Sequence, residues 1–121
     1  MKNNNVSKGK IGEELAVRYL TERGLKILAT NWRYSRYGEL DIIAEDKDTL
    51  AFIEVKTRTS VAFGHPMEAI NYNKINQIKT LASIYLNENP NLRYKNYRFD
   101  AVSVILKKEP EIEYYKNVYI F

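Results

Sequence analysis

The 121-residue sequence contains no cysteine, a single histidine, three prolines and five glycines. Without cysteine there is no disulfide framework, thiolate zinc site, iron–sulfur cluster or cysteine nucleophile, and one histidine excludes His-rich metal sites. No apolar run approaches the roughly 20 residues that span a bilayer. The opening Met1-Lys2-Asn3-Asn4-Asn5 is followed by no apolar stretch of the kind a signal peptide needs. A large excess of one charge is also missing: 19 Lys and Arg stand against 15 Asp and Glu, a net +4, which is mildly basic and favours a polyanionic partner. Internal repeats, low-complexity tracts and interdomain linkers are absent. What is there, 45% apolar and 28% charged residues, is the composition of one soluble globular domain, expected in the cytoplasm and without membrane association.

Ser7 to Arg23 has no proline and places Ile11, Leu15, Ala16, Tyr19 and Leu20 on one helical face, with Gly24 suited to end the helix. Leu25 to Trp32 reads as an opening strand. Leu40 to Glu45 and Thr49 to Lys56 are β-prone runs separated by the turn residues Asp46-Lys47-Asp48, an antiparallel hairpin. A polar loop follows, with Pro66 in a first-turn position ahead of a second helix from about Glu68 to Asn87, stopped by Asn89-Pro90-Asn91. Arg98 to Leu106 and Glu111 to Ile120 read as two further strands. The order α-β-β-β-α-β-β implies an α/β domain, a small mixed sheet flanked by helices.

The chemistry concentrates in Gly38-Glu39-Leu40-Asp41 and Leu50-Ala51-Phe52-Ile53-Glu54-Val55-Lys56. Alternation along a strand sends Glu54 and Lys56 to one side and Ile53 and Val55 to the other. The hairpin turn then brings Asp41 level with Glu54 and Lys56. Two carboxylates ~4 Å apart repel by about 4 kcal/mol at an effective dielectric of ~20, a penalty that a divalent cation removes. Oxygen ligands without His or Cys suit Mg²⁺, with Mn²⁺ as a substitute, and the Val55 carbonyl offers a further oxygen. Lys56 is placed to orient or activate a water and offset developing negative charge.

At these positions the sequence resembles the PD-(D/E)XK nuclease superfamily, through Asp41, Glu54 and Lys56, with Leu40 where the superfamily's name has Pro. It resembles more closely the YraN-type family of small bacterial proteins. Gly9-Lys10-Ile11-Gly12-Glu13-Glu14-Leu15-Ala16, Asn31-Trp32-Arg33, Gly38-Glu39-Leu40-Asp41-Ile42-Ile43, Phe52-Ile53-Glu54-Val55-Lys56-Thr57-Arg58 and Arg98-Phe99-Asp100 carry that likeness in order and spacing. The resemblance implies a restriction-endonuclease-like core and, through similarity to archaeal Holliday-junction resolvases, endonuclease chemistry. Those resolvases carry a Gly and, four residues later, a catalytic Glu on the first helix, which Gly9 and Glu13 reproduce. Glu13 thereby joins Asp41, Glu54 and Lys56 as a catalytic candidate, and joins Asp41, Glu54 and Val55 as a metal ligand.

Glu39 shares the face of Asp41 if the strand has already begun, and is a secondary candidate. Arg33, Arg36, Arg58 and Lys74 are candidate phosphate contacts, with Lys79 behind them and Trp32, Tyr34 and Tyr37 interleaved. His65, between Gly64 and Pro66, fits a loop without chemistry, and Asp100 fits a structural pairing with a neighbouring Arg or Lys. Two functions compete: a Mg²⁺-dependent endonuclease on DNA of branched or other non-B form, working as a homodimer if it is resolvase-like, and a binding module that holds nucleic acid without cutting it.

Overall fold

The computed structural model describes residues 7–62, 64, 67 and 71–118. The elements run α1 (Lys8–Glu22), β1 (Lys26–Tyr34), β2 (Gly38–Asp46), β3 (Thr49–Arg58), α2 (Tyr72–Glu88), β4 (Asn96–Ile105) and β5 (Glu111–Tyr115). The order is the one read from the sequence. Ser7 caps α1 by accepting the Lys10 N–H. At its other end Gly24 takes a left-handed φ of +92°, and the N–H groups of Gly24 and Leu25 return to the carbonyls of Thr21 and Leu20.

The five strands lie in the order β1-β2-β3-β4-β5. The first three form an antiparallel meander, β4 runs parallel to β3 after the crossover through α2, and β5 returns antiparallel. The sheet is therefore mixed, with one helix on each face. Against α1, through Ala16 and Leu20, pack Ile42, Ala44, Ala51, Ile53, Val55, Val102 and Val104. Against α2, through Ile78, Leu81, Ala82 and Tyr85, pack Leu40, Ile43, Leu50, Phe52 and Phe99. β3 is central, and its first seven residues are buried, because both faces are covered by a helix. Among the described residues no helix is long and apolar enough to cross a membrane.

Most element ends move by one or two residues from the sequence reading, and two move further. Residues 116–118 leave the last strand, which ends at Tyr115. Asn117 turns the chain with φ +55°, its N–H bonds Asp100 Oδ1, and Val118 N–H bonds the Phe99 carbonyl. The second helix begins at Tyr72, capped by Asn71, whose side chain accepts the Lys74 N–H. His65, Pro66, residues 68–70 and the end of the expected last strand, through Ile120, lie outside the described residues.

Candidate metal centre

The centre forms where the antiparallel β2–β3 ladder stops. Ile42 pairs with Ile53, so the next step outward sets Asp41 beside Glu54. There the Asp41 side chain takes over from the backbone ladder: its Oδ2 accepts the Val55 N–H at 2.8 Å. Val55, expected to contribute its carbonyl, is tied to the site through its N–H.

At the same point β2 breaks its alternation. Ile42 and Ala44 face α1, whereas Leu40 and Ile43 both face α2; strict alternation would have put Leu40 with Ile42. On β1 the residue between the pairs Thr30↔Ile42 and Trp32↔Leu40 is Asn31, at φ +51°. Asn is one of the few side chains that adopts this left-handed conformation readily. Its Nδ2 donates to Glu13 Oε1 at 2.7 Å, so the kinked strand also anchors a helix carboxylate.

The outcome is a group of three carboxylates, Glu13 from α1 with Glu39 and Asp41 from β2, each offering one oxygen within 4.8 Å of the others. β2 begins at Gly38, which gives Glu39 its place beside Asp41. Among the described residues each carboxylate has one partner: Asn31 for Glu13, Arg33 Nη2 at 3.3 Å for Glu39, and the Val55 N–H for Asp41. A carboxylate has about four lone-pair positions, so acceptor capacity remains on all three. Burial first, and the charges of Glu54 and Glu13 next, push the Asp41 carboxyl up to about 8, against the lowering pull of the Val55 N–H and Lys74.

Glu54 stands outside that group of three. It is only 4% exposed, and its Oε2 is held by Lys56 Nζ at 3.4 Å and Lys74 Nζ at 3.1 Å. Lys74, expected to contact phosphate, is thus a second ammonium at the buried glutamate, delivered from the first turn of α2. Three other cations expected to contact nucleic acid share this end of the sheet, whereas Lys79 lies further along α2, beside Phe52, Tyr97 and Phe99. Arg33 stands one residue before the end of β1, Arg36 lies exposed in the turn before β2, and Arg58 ends β3 with its Nη1 on the Thr57 carbonyl. Trp32 packs edge-on to Tyr85, while Tyr34 and Tyr37 are exposed.

Asn31 and Gly12 are parts of the site that sequence reasoning passed over. A Cβ on Gly12 would lie 2.9 Å from Thr57 Cβ and overlap the Thr57 hydroxyl, so glycine there lets α1 approach β3 and bring Glu13 in. The signal was present in the Asn31-Trp32-Arg33 and Gly12-Glu13 segments, but nothing local distinguishes a close approach from an ordinary helical glycine.

Asp100 belongs to a different cluster, on the β4–β5 side of the sheet. Fully buried, it receives Arg98 Nε at 2.8 Å and Arg98 Nη2 at 2.9 Å, together with the Tyr114 hydroxyl and the Asn117 N–H. Arg98 also reaches Asp46 at 2.9 Å and holds its carboxyl below the usual range. This is the structural pairing expected for Asp100.

The sequence profile of "Uncharacterised protein family UPF0102" matches residues 12–104. A UPF0102 protein of Dictyoglomus turgidum is 44% identical over 119 residues, covering 96% of this chain and 99% of the relative. One from Acetivibrio thermocellus is 44% identical over 124 residues, covering 98% and 95%. One from Nocardia farcinica is 46% identical over 113 residues, covering 92% and 87%.

Proposed function

The chain belongs to the UPF0102 family, and we propose that this member is a divalent-metal-dependent nuclease that hydrolyses phosphodiester bonds of DNA, preferring branched or structured substrates. The observation that carries the reading is the convergence of Glu13, Glu39 and Asp41 within 4.8 Å, beside the Lys56–Glu54–Lys74 cluster. The likeness to PD-(D/E)XK nucleases and to archaeal Holliday-junction resolvases supports it.

The donor set fits a hard cation. All three groups are carboxylates, and the burial of Asp41 and the like charges of Glu54 and Glu13 around it are penalties that a divalent ion offsets. Mg²⁺ is the expected ion and Mn²⁺ its substitute. When bound, it supplies Lewis acidity toward a phosphate oxygen and a water of lowered pKa.

The chain's own residues do the rest. Glu13, Glu39 and Asp41 hold the ion, and the Val55 N–H fixes Asp41 toward it. Glu54 anchors the two ammonium groups, so that Lys56, a quarter exposed, can orient the attacking water and offset charge on the phosphate. Arg33, Arg36 and Arg58 hold flanking phosphates and fix the register of the strand. Cutting both strands of a junction needs two such sites, which a C₂ homodimer supplies.

The test is cleavage of labelled duplex, single strand, flap, four-way junction and structured RNA, with Mg²⁺, with Mn²⁺ and with chelator. The expected result is DNA cleavage that requires metal and is lost in Lys56→Ala. No cleavage of any substrate, with binding that weakens steeply in salt, would overturn the enzyme and leave a DNA-holding module.

A further inference from the structure

α1 packs chiefly over β3, and a gap remains between it and the β1–β2 side of the same sheet face. The gap is a cleft of about 450 Å³ that opens directly beside Glu13 and Asp41. Its floor is apolar, formed by Val17 and Ile42, and Thr30 and Asn31 supply polar atoms on the strand side. Lys10 and Arg18 stand on the helix side, both exposed and neither in an ion pair among the described residues. Eight residues of helix separate them, a span of about 12 Å.

Resting on the nuclease reading, we infer that this cleft seats one unpaired nucleotide next to the bond to be cut, with Lys10 and Arg18 on the phosphates either side of it. The volume lies within the range of small-ligand pockets, whereas the broad, convex backbone of a duplex cannot enter it. A phosphate alone would have no use for the apolar surface of Val17, which a base or sugar covers, with the fully buried Ile42 behind it. The Arg18 guanidinium offers a plane for stacking, and the Thr30 hydroxyl both donates and accepts toward a base edge. A paired base keeps its faces inside the stack, so the cleft selects a strand already unpaired, as at a flap, a junction centre or an overhang.

The test measures binding by fluorescence anisotropy in the Lys56→Ala background with Mg²⁺, so that cleavage does not interfere. The probes are a fluorescein-labelled single-stranded DNA 12-mer and a blunt duplex. Lys10→Ala/Arg18→Ala is expected to weaken single-strand binding about tenfold and to reduce its salt slope by about 1.4, at roughly 0.7 per phosphate contact in a single strand. Lys10→Glu/Arg18→Glu should weaken it further, and both pairs occupy exposed helical positions where the fold tolerates the change. Duplex binding should move far less. Equal losses for duplex and single strand, an unchanged single-strand affinity, or no single-strand binding at all would overturn the inference. Since the readout is binding, a chain that never cuts DNA can still pass, and a chain that cuts DNA without this preference fails here alone.

Discussion

Asp41 accepts the Val55 N–H at 2.8 Å in the place where a continuing β2–β3 ladder would have supplied a backbone carbonyl. The bond fixes a partly buried carboxyl between Glu13 on one side of the sheet and Glu54 on the other, and the two glutamates push it up to about 8 on top of the effect of burial. A folded value above the unfolded one of about 3.9 means that the native state binds the extra proton between those values. Metal-free protein should therefore lose stability as pH rises from about 4 to about 8 at this group, with the loss complete above it. Asp41→Asn keeps an acceptor for Val55 and removes the charge, so it should flatten that slope and raise Tm at pH 8 by several degrees, at roughly 4 °C per kcal/mol. Thermal denaturation across pH checks this.

The kinked β1 gives a second prediction. Asn31→Gly keeps the φ of +51° without strain, whereas Asn31→Ala adds about 1 kcal/mol or more in the left-handed region. Both release Glu13. Only the alanine variant should lose Tm in chelator, and both should lose part of the stabilisation by Mg²⁺, which for the wild type is about 2.7 kcal/mol at a hundredfold excess over Kd.

Glu54 shares two ammonium groups, so losing one leaves it paired. Lys56→Ala and Lys74→Ala should each cost about 1 kcal/mol, while the double variant should cost about 3 kcal/mol or more, because it strands a buried charge. A double-mutant cycle by urea denaturation reads the excess. Lys56→Ala should abolish cleavage, and Lys74→Ala should slow it.

On the β4–β5 side of the sheet, Asp100→Asn leaves Arg98 and Tyr114 facing a weaker acceptor. A loss of about 3–5 kcal/mol in denaturant is expected, in the range for breaking a buried pair. The response of Tm to Mg²⁺ should survive, since Asp100 lies away from the carboxylate group. The Arg98–Asp46 pair adds stability that is present above the unfolded carboxylate value and fades as pH falls through the lowered one.

The element order and the placing of Asp41 level with Glu54 were legible because hairpin turn residues and period-2 alternation are local signals. Lys56 falling on the Glu54 side of β3 followed from the same alternation. What was not legible arose from breaks in the period. Glu39 on the face of Asp41 follows from alternation once the strand starts at Gly38, and Glu13 from the resemblance; the face change between Leu40 and Ile43, which leaves Glu54 to the lysines, is revealed by no pattern read along β2 alone. From the sequence Lys74 reads as a phosphate contact, because its reach to Glu54 depends on how the α2 crossover docks. Gly12 and Asn31 owe their importance to Thr57 and Glu13, which are distant in sequence and adjacent only in the fold.

The central claim is that Glu13, Glu39 and Asp41 jointly hold one divalent ion. The most direct measurement is the anomalous signal of Mn²⁺ in crystals of the wild type and of Asp41→Asn. A single strong peak is expected among the three carboxylates in the wild type and none in the variant. A wild-type map with no peak there, or with Mn²⁺ only at sites away from Asp41, would contradict it.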